Sequence, residues 1–254
     1  MTAAVPLADM GLLVGAGVVA GVLGSAGGIT SLISYPAILA VGIAPLPANV
    51  TMAVAFAACW PGSALGSRPE LVGQGPMLRR WAPLIALGGV CGSILLLSTP
   101  DRIFGRIVPF LLALAALTLF FQPQLTSWRR GFFNRHGRLL LPVGLFGVSL
   151  YSGYFGAGSG VMVLLLILLM VDQELTRANA LKNMLLGVAD AVAAVIFIVW
   201  GPVNWRAAIP MAIGLLAGSM VGPSLTRRMP GTVVRVLVAC CGLALAIRLW
   251  IVPA

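Results

Sequence analysis

A glycine cluster occurs twice in this chain, and both times it interrupts an apolar stretch. The first reads Gly21-Val22-Leu23-Gly24-Ser25-Ala26-Gly27-Gly28; the second reads Gly153-Tyr154-Phe155-Gly156-Ala157-Gly158-Ser159-Gly160. Gly21, Gly24 and Gly28 fall in register with Gly153, Gly156 and Gly160. Ala48-Asn49 likewise matches Ala178-Asn179, and Gly92-Ser93 matches Gly218-Ser219, with Pro83 and Pro210 upstream of that last pair. Two copies of one unit, each with a helix broken at its glycines, account for the pattern. Broken helices paired in this way are how many membrane folds assemble a binding site at the bilayer midplane.

Composition places the units in a membrane. Of 254 residues, 60% are hydrophobic and only 9% charged, where a soluble domain carries roughly 25% charged residues. The expected fold is an all-α integral membrane protein of two inverted-topology repeats, with short helices broken at the glycine clusters. The formal net charge is +10, yet the basic residues sit in short loops between apolar runs and form no patch with interleaved aromatics. That is the pattern of topology determinants, and no nucleic-acid partner is expected. Cys59, Cys91, Cys240 and Cys241 all lie in apolar segments without a CxxC and read as small packing residues. The N-terminus has no basic n-region and Asp9 precedes the first apolar run, so that run is expected to stay in the membrane.

Apolar segments run over 10–24, 29–42, 47–66, 80–99, 103–121, 138–155, 160–172, 176–200, 206–225 and 231–252. They divide into a first membrane repeat (1–121), a basic cytoplasmic linker (122–137) and a second membrane repeat (138–254). A spanning helix needs about 20 residues at 1.5 Å each. The four segments flanking the glycine clusters are shorter. Each short pair meets at its glycines, either as a re-entrant hairpin or as two short tilted spans. Backbone unwound at that depth is tolerated where protein buries it or where it lines a cavity.

Charge supplies the orientation. Arg68, Arg79 and Arg80 follow the third segment; Arg129, Arg130, Arg135 and Arg138 lie in or at the edge of the linker; Arg227 and Arg228 precede the last segment. Placing all three groups in the cytoplasm puts the N-terminus outside and gives each half an odd number of crossings, which inverts the second repeat. Arg102, Arg106, Arg206 and Arg248 are the exceptions.

Catalytic motifs are missing, with no HExxH, G-x-S-x-G, P-loop or usefully paired carboxylates. No enzymatic activity, cofactor or metal is expected. The informative polar residues stand inside the eighth apolar segment: Asn179, Lys182, Asn183 and Asp190. Lys182 is the only lysine in the chain. It lies about two turns in from Thr176, read as the N-cap, with Asp190 two turns further on. Eight residues are about 800° of rotation, which leaves the two side chains roughly 80° apart on neighbouring faces. Charges at that depth are costly and usually face a cavity. Asp190 is expected to hold the lysine in the empty site, and to act in coupling.

The glycine breaks supply the rest. Unwound glycines expose backbone N–H groups, and helices beginning near Ile29 and Val161 aim partial positive charge inward. The candidate substrate-binding set is Gly24, Ser25, Gly27, Gly28, Asn49, Thr51, Gly156, Gly158, Ser159, Gly160, Asn179, Lys182 and Asn183, with Thr30 as a further hydroxyl. Donors, dipoles and one ammonium with few carboxylates specify a small anion. Tyr35, Trp60 and Tyr154 read as packing or belt aromatics, and His136 as a solvated linker residue.

These features resemble the sulfite exporter TauE/SafE family of bacterial membrane transporters. Tyr35-Pro36 and Pro45-Leu46-Pro47-Ala48-Asn49-Val50-Thr51 look like its first repeat. Gly153 to Gly160, Ala178-Asn179-Ala180-Leu181-Lys182 and Gly201-Pro202-Val203-Asn204-Trp205 look like its second. The resemblance implies a multi-pass protein of the bacterial inner membrane carrying anions such as sulfite, sulfoacetate or related sulfonates. Asp190 stands where the family more often has asparagine, and Ser159 where a fuller glycine run is common.

The expected function is secondary transport of small organosulfur or sulfur-oxo anions by alternating access. A passive anion channel is the nearest alternative, and a membrane-embedded assembly or redox subunit a more distant one. The partners expected are the lipid bilayer and an anionic organosulfur substrate. A proton or sodium as coupling ion and a homo-oligomer are both compatible with the sequence, which selects neither.

Overall fold

The computed structural model describes residues 7–127, 133–171 and 174–226. Among them every regular element is a helix. In order these are α1 (Leu7–Gly27), α2 (Thr30–Ala40), α3 (Pro45–Phe56), α4 (Cys59–Gly66), α5 (Arg68–Leu71) and α6 (Gly75–Leu97). Then follow α7 (Asp101–Ser127), α8 (Phe133–Tyr154), α9 (Ser159–Met170), α10 (Leu175–Trp200) and α11 (Trp205–Thr226). Five stretches of the described residues are long and apolar enough to cross a bilayer, among them Asp9–Gly27, Pro45–Gly66 and Leu175–Trp200. The last apolar segment, 231–252, lies outside the described residues, as do Arg227, Arg228, Cys240 and Cys241.

Both glycine clusters end a helix, and the local reason is backbone handedness. Gly28 sits at φ +81° and its N–H donates to the Gly24 carbonyl at 2.6 Å. Gly156 sits at φ +75° and donates to Tyr151 at 3.0 Å. Left-handed backbone stops an α-helix while satisfying one of its last carbonyls, and glycine adopts it without a steric penalty.

Three expectations are corrected. Only the helices after the breaks are short: α2 has 11 residues and α9 has 12, about 16 and 18 Å of helix. The helices before them, α1 and α8, run 21 and 22 residues. The third segment, expected as one helix, is two, turning at Ala57-Ala58. Pro61 in the first turn of α4 has no N–H to give the Ala57 carbonyl, which costs the helix a ladder bond at this turn. Thr176 does not cap α10. The N-cap is Glu174, and the Thr176 hydroxyl donates to its Oε1 at 2.8 Å. Helix also enters the basic stretch from both sides, α7 reaching Ser127 and α8, which includes His136, starting at Phe133.

Small residues set the packing. α1 lies along α11, and α6 along α8. A Cβ added to Gly17 or Gly21 would come 2.6 Å from the Met211 or Leu215 carbonyl, and one on Gly88 would come 2.6 Å from the Ser149 side chain. Lipid is as apolar as leucine, so helices in a bilayer gain from close backbone approach more than from hiding hydrocarbon. The outer faces are apolar accordingly: Val195, Ile198, Val199, Ile209 and Ile213 are all exposed. Inside, Tyr35, Phe104 and Phe155 are buried and meet edge to face, with ring centroids 5.3 and 6.0 Å apart. This aromatic cluster packs beside the second glycine break.

Candidate functional site

The two glycine breaks meet each other. A Cβ on Gly28 would fall 2.7 Å from the Val161 nitrogen, and one on Gly160 would fall 2.7 Å from the Gly28 carbonyl. The closest backbone approach at these residues is therefore break to break, between two positions in register in the sequence.

Beside that contact lies a cavity of about 60 Å³. The first break contributes Gly24, Ser25 and Gly28, with Thr30 and Ser31 from the start of α2. The second contributes Gly156, Ser159 and Gly160, with Ser152 from α8. One face of α10 contributes Lys182, Asn183, Leu186, Gly187 and Asp190. The α3–α4 turn closes the wall with Phe56, Cys59, Trp60 and Ser63. The first turns of α2 and α9 both open here, and first-turn N–H groups have no intrahelical partner, which makes such an end hospitable to anions.

Three side chains of α10 converge on the last turn of α1. Lys182 Nζ donates to the Gly24 carbonyl at 3.2 Å. Asn179 and Asn183 both donate to the Ser25 carbonyl, at 2.8 and 2.9 Å. A helix C-terminus leaves carbonyls orphaned and carries partial negative charge, so amides and an ammonium are the groups that satisfy it. The other half repeats the device. Asn49 Nδ2 donates to the Tyr154 carbonyl at 2.9 Å, at the end of α8. Each registered asparagine thus holds the broken helix of the opposite half.

Lys182 is 1% exposed and lines the cavity. Asp190 lines it too, accepting from the Ser152 hydroxyl at 3.3 Å. That hydroxyl lies 3.2 Å from Ser159 Oγ, which donates to the Gly156 carbonyl at 2.9 Å. Ser31 donates to the same carbonyl at 3.2 Å. The expectation that Asp190 holds the lysine in the empty site is corrected: no ion pair joins them among the described residues, and Lys182 turns to Gly24 instead. Two helical turns separate their Cα atoms by about 12 Å, too far for a direct pair without both side chains leaning inward.

Five predicted site residues stand off the cavity. Asn49 and Asn179 sit behind it, holding helix ends. Thr51 is fully buried and accepts the Asn204 N–H at 2.9 Å, bracing α3 against the turn before α11. Gly158 is left-handed at φ +74°, and a Cβ there would press on Ala115. Gly27 has nothing within 4 Å of an added Cβ.

Several lining residues were not in the predicted set. Cys59 and Trp60, read as packing or belt residues, line the cavity. Trp60 lies against α10 so closely that a Cβ on Gly187 would collide with its indole. A signal for it existed: Asn49 and Asn179 are 130 positions apart, and the same offset carries Trp60 onto Asp190. Ser152 had a weaker one, standing one helical turn before Gly156. Ser31 and Ser63 had none.

Comparison with known proteins agrees with this architecture. A family model described as sulfite exporter TauE/SafE matches residues 11–249. The chain is 29% identical over 246 residues to a probable membrane transporter protein, ORF9, of Sinorhizobium sp, across 91% of this chain and 88% of that protein. It is 25% identical over 229 residues to a probable membrane transporter protein of Haemophilus influenzae, covering 87% of each. It is also 25% identical over 225 residues to the probable membrane transporter protein YfcA of Escherichia coli K12, across 85% of this chain and 80% of that one. No solved structure matches. Glycine-broken helices meeting at a buried cavity, in a multi-pass chain of the bacterial inner membrane matched over nearly its whole length, place this protein in the sulfite exporter TauE/SafE family.

Proposed function

We propose that this membrane transporter carries small organosulfur or sulfur-oxo anions, such as sulfite, sulfoacetate or similar sulfonates, by alternating access. The observation that carries the reading is the buried ammonium of Lys182 on a cavity where both glycine breaks meet. An anion entering there displaces the Gly24 carbonyl from Lys182 and takes the Asn183 amide, the serine hydroxyls and the opening turns of α2 and α9 as further donors. Charge-assisted hydrogen bonds of this kind are short and strong. Asp190 gives the same cavity an end that accepts a cation, the place for a coupling proton or sodium.

The reciprocal capping by Asn49 and Asn179 supports two repeats, 1–121 and 138–254, that move against one another around a fixed site. Inverted orientation of those repeats puts position 2 outside the cell and Asn134 in the cytoplasm. Cysteine labels at the two positions should react from opposite sides; reaction from one side rejects the inverted pair.

The transport reading is tested in proteoliposomes. Sulfite or sulfoacetate uptake should saturate, and the same anion trapped inside should accelerate it. Flux that rises linearly with concentration and shows no counterflow would be that of a passive channel, and overturns the carrier.

A further inference from the structure

We infer that the cavity is built for a short zwitterion, with an anionic oxo-group held at Lys182 and an ammonium held at Asp190. The inference rests on the transport reading and names amino-sulfonates, or molecules of the same charge pattern, as the members of its substrate class that fit the cavity best.

Along α10 the cavity face reads in rungs one turn apart. Lys182 and Asn183 come first, Leu186 and Gly187 next, Asp190 last. The order is cationic, apolar, anionic. The Trp60 indole packs on the middle rung at Gly187 and Phe56 adds to the same wall, so the centre is hydrocarbon-like on two sides. Opposite charges sharing one cavity would ordinarily pair, yet each here holds only a neutral group. Lys182 reaches the Gly24 carbonyl at 3.2 Å and Asp190 accepts from Ser152 at 3.3 Å. Charge-assisted bonds usually close to about 2.7–2.9 Å, so both groups are held loosely and at a distance from each other.

A ligand that satisfies both ends must carry its charges across a short apolar link. The Cα atoms are about 12 Å apart along the axis. Side chains standing out from the helix keep that separation between the two charged heads. Two charge-assisted bonds of about 2.8 Å take a little under half of it, which leaves roughly 6 Å, room for a link of two or three carbons between the ligand's charged groups. A bare oxyanion leaves the Trp60 wall unfilled. A dianion such as sulfoacetate places its second negative group against Asp190, an unfavourable contact that is relieved only when the coupling proton or sodium neutralises that carboxylate.

Calorimetry on the purified full-length protein, at fixed pH, compares three probes of one size: 2-aminoethanesulfonate, ethanesulfonate and sulfoacetate. The aminosulfonate should bind tightest, by tenfold to a hundredfold over ethanesulfonate, the range expected for one hydrogen bond to a charged group. Without sodium and at neutral pH, sulfoacetate should bind most weakly. Asp190→Asn should collapse the aminosulfonate preference and raise sulfoacetate towards ethanesulfonate. The ranking on the unmodified protein decides the matter even where the variant fails to fold. Equal affinity for aminosulfonate and ethanesulfonate, with both weakened by Lys182→Gln, overturns the zwitterion and leaves an anion site. Sulfoacetate binding tightest, and only with sodium or at low pH, also overturns it and makes Asp190 the coupling site. Absence of binding by all three overturns the zwitterion, and the transport reading is then decided by sulfite uptake in proteoliposomes.

Discussion

In the first half of the chain, Asn49 stands in α3, which ends in the turn at Ala57-Ala58 before α4 begins. In the second half, Asn179 stands in α10, which runs unbroken for 26 residues. The two asparagines do one job, each holding the end of the opposite half's broken helix, at 2.9 and 2.8 Å. Beyond them the halves diverge. Lys182 is in register with Met52, and Asp190 with Trp60. Met52 is buried away from the cavity, so at these positions the first half lends it an indole where the second lends both charges. Matching positions build the scaffold, while mismatched positions furnish the chemistry. A site whose halves were chemically identical could not tell one end of a ligand from the other.

The comparison breaks hardest at the meeting of the two breaks. Gly28→Leu and Gly160→Leu should each reduce transport more than a hundredfold, because a side chain at either position collides with the other half's backbone, and glycine alone is free at φ +81°. Gly27→Leu is the internal control, with open space around it, and should keep transport per folded molecule. Equal losses at positions 27 and 28, measured against the folded protein recovered by size exclusion, would show that the break tolerates no change anywhere.

Charge asymmetry comes next. Lys182→Gln should weaken sulfite or sulfonate affinity tenfold to a hundredfold by calorimetry, the scale of one hydrogen bond to a charged group. Lys182→Arg should restore part of that, since the guanidinium fork is larger and differently aimed. Affinity unchanged in Lys182→Gln would mean the lysine serves only the end of α1.

Symmetry of the scaffold predicts a smaller and balanced pair of effects. Asn49→Ala and Asn179→Ala should each lower unfolding stability by about 1–3 kcal/mol, since each leaves a buried helix-end carbonyl with one donor fewer. Asn183 also serves Ser25, so the loss at Asn179 should be the lesser of the two. A much larger loss at Asn179 in thermal melts would break the equivalence. The smallest effect belongs to Thr51→Val. It removes an acceptor for the Asn204 N–H, should lower stability by about 1 kcal/mol, and should leave anion affinity unchanged because Thr51 does not reach the cavity.

Much of this molecule was legible in one dimension. Apolar run length and sparse charge determine a multi-pass helical membrane protein, because lipid offers backbone groups no partners outside a helix. The paired glycine clusters located both breaks, because left-handed backbone at a helix end is a local property of glycine. Lys182 stood out because an isolated ammonium in an apolar run is costly wherever the helix lies. Only the tertiary structure decided what those residues face. It turned Asn49 and Thr51 away from the cavity and set Gly28 on Gly160. Trp60 and Ser152 came onto the cavity wall, and Lys182 went to Gly24 rather than to Asp190. The reason is physical: a helix presents every residue of its sequence to some neighbour, and which neighbour depends on how helices distant in the chain are rotated against one another. No local pattern carries that angle.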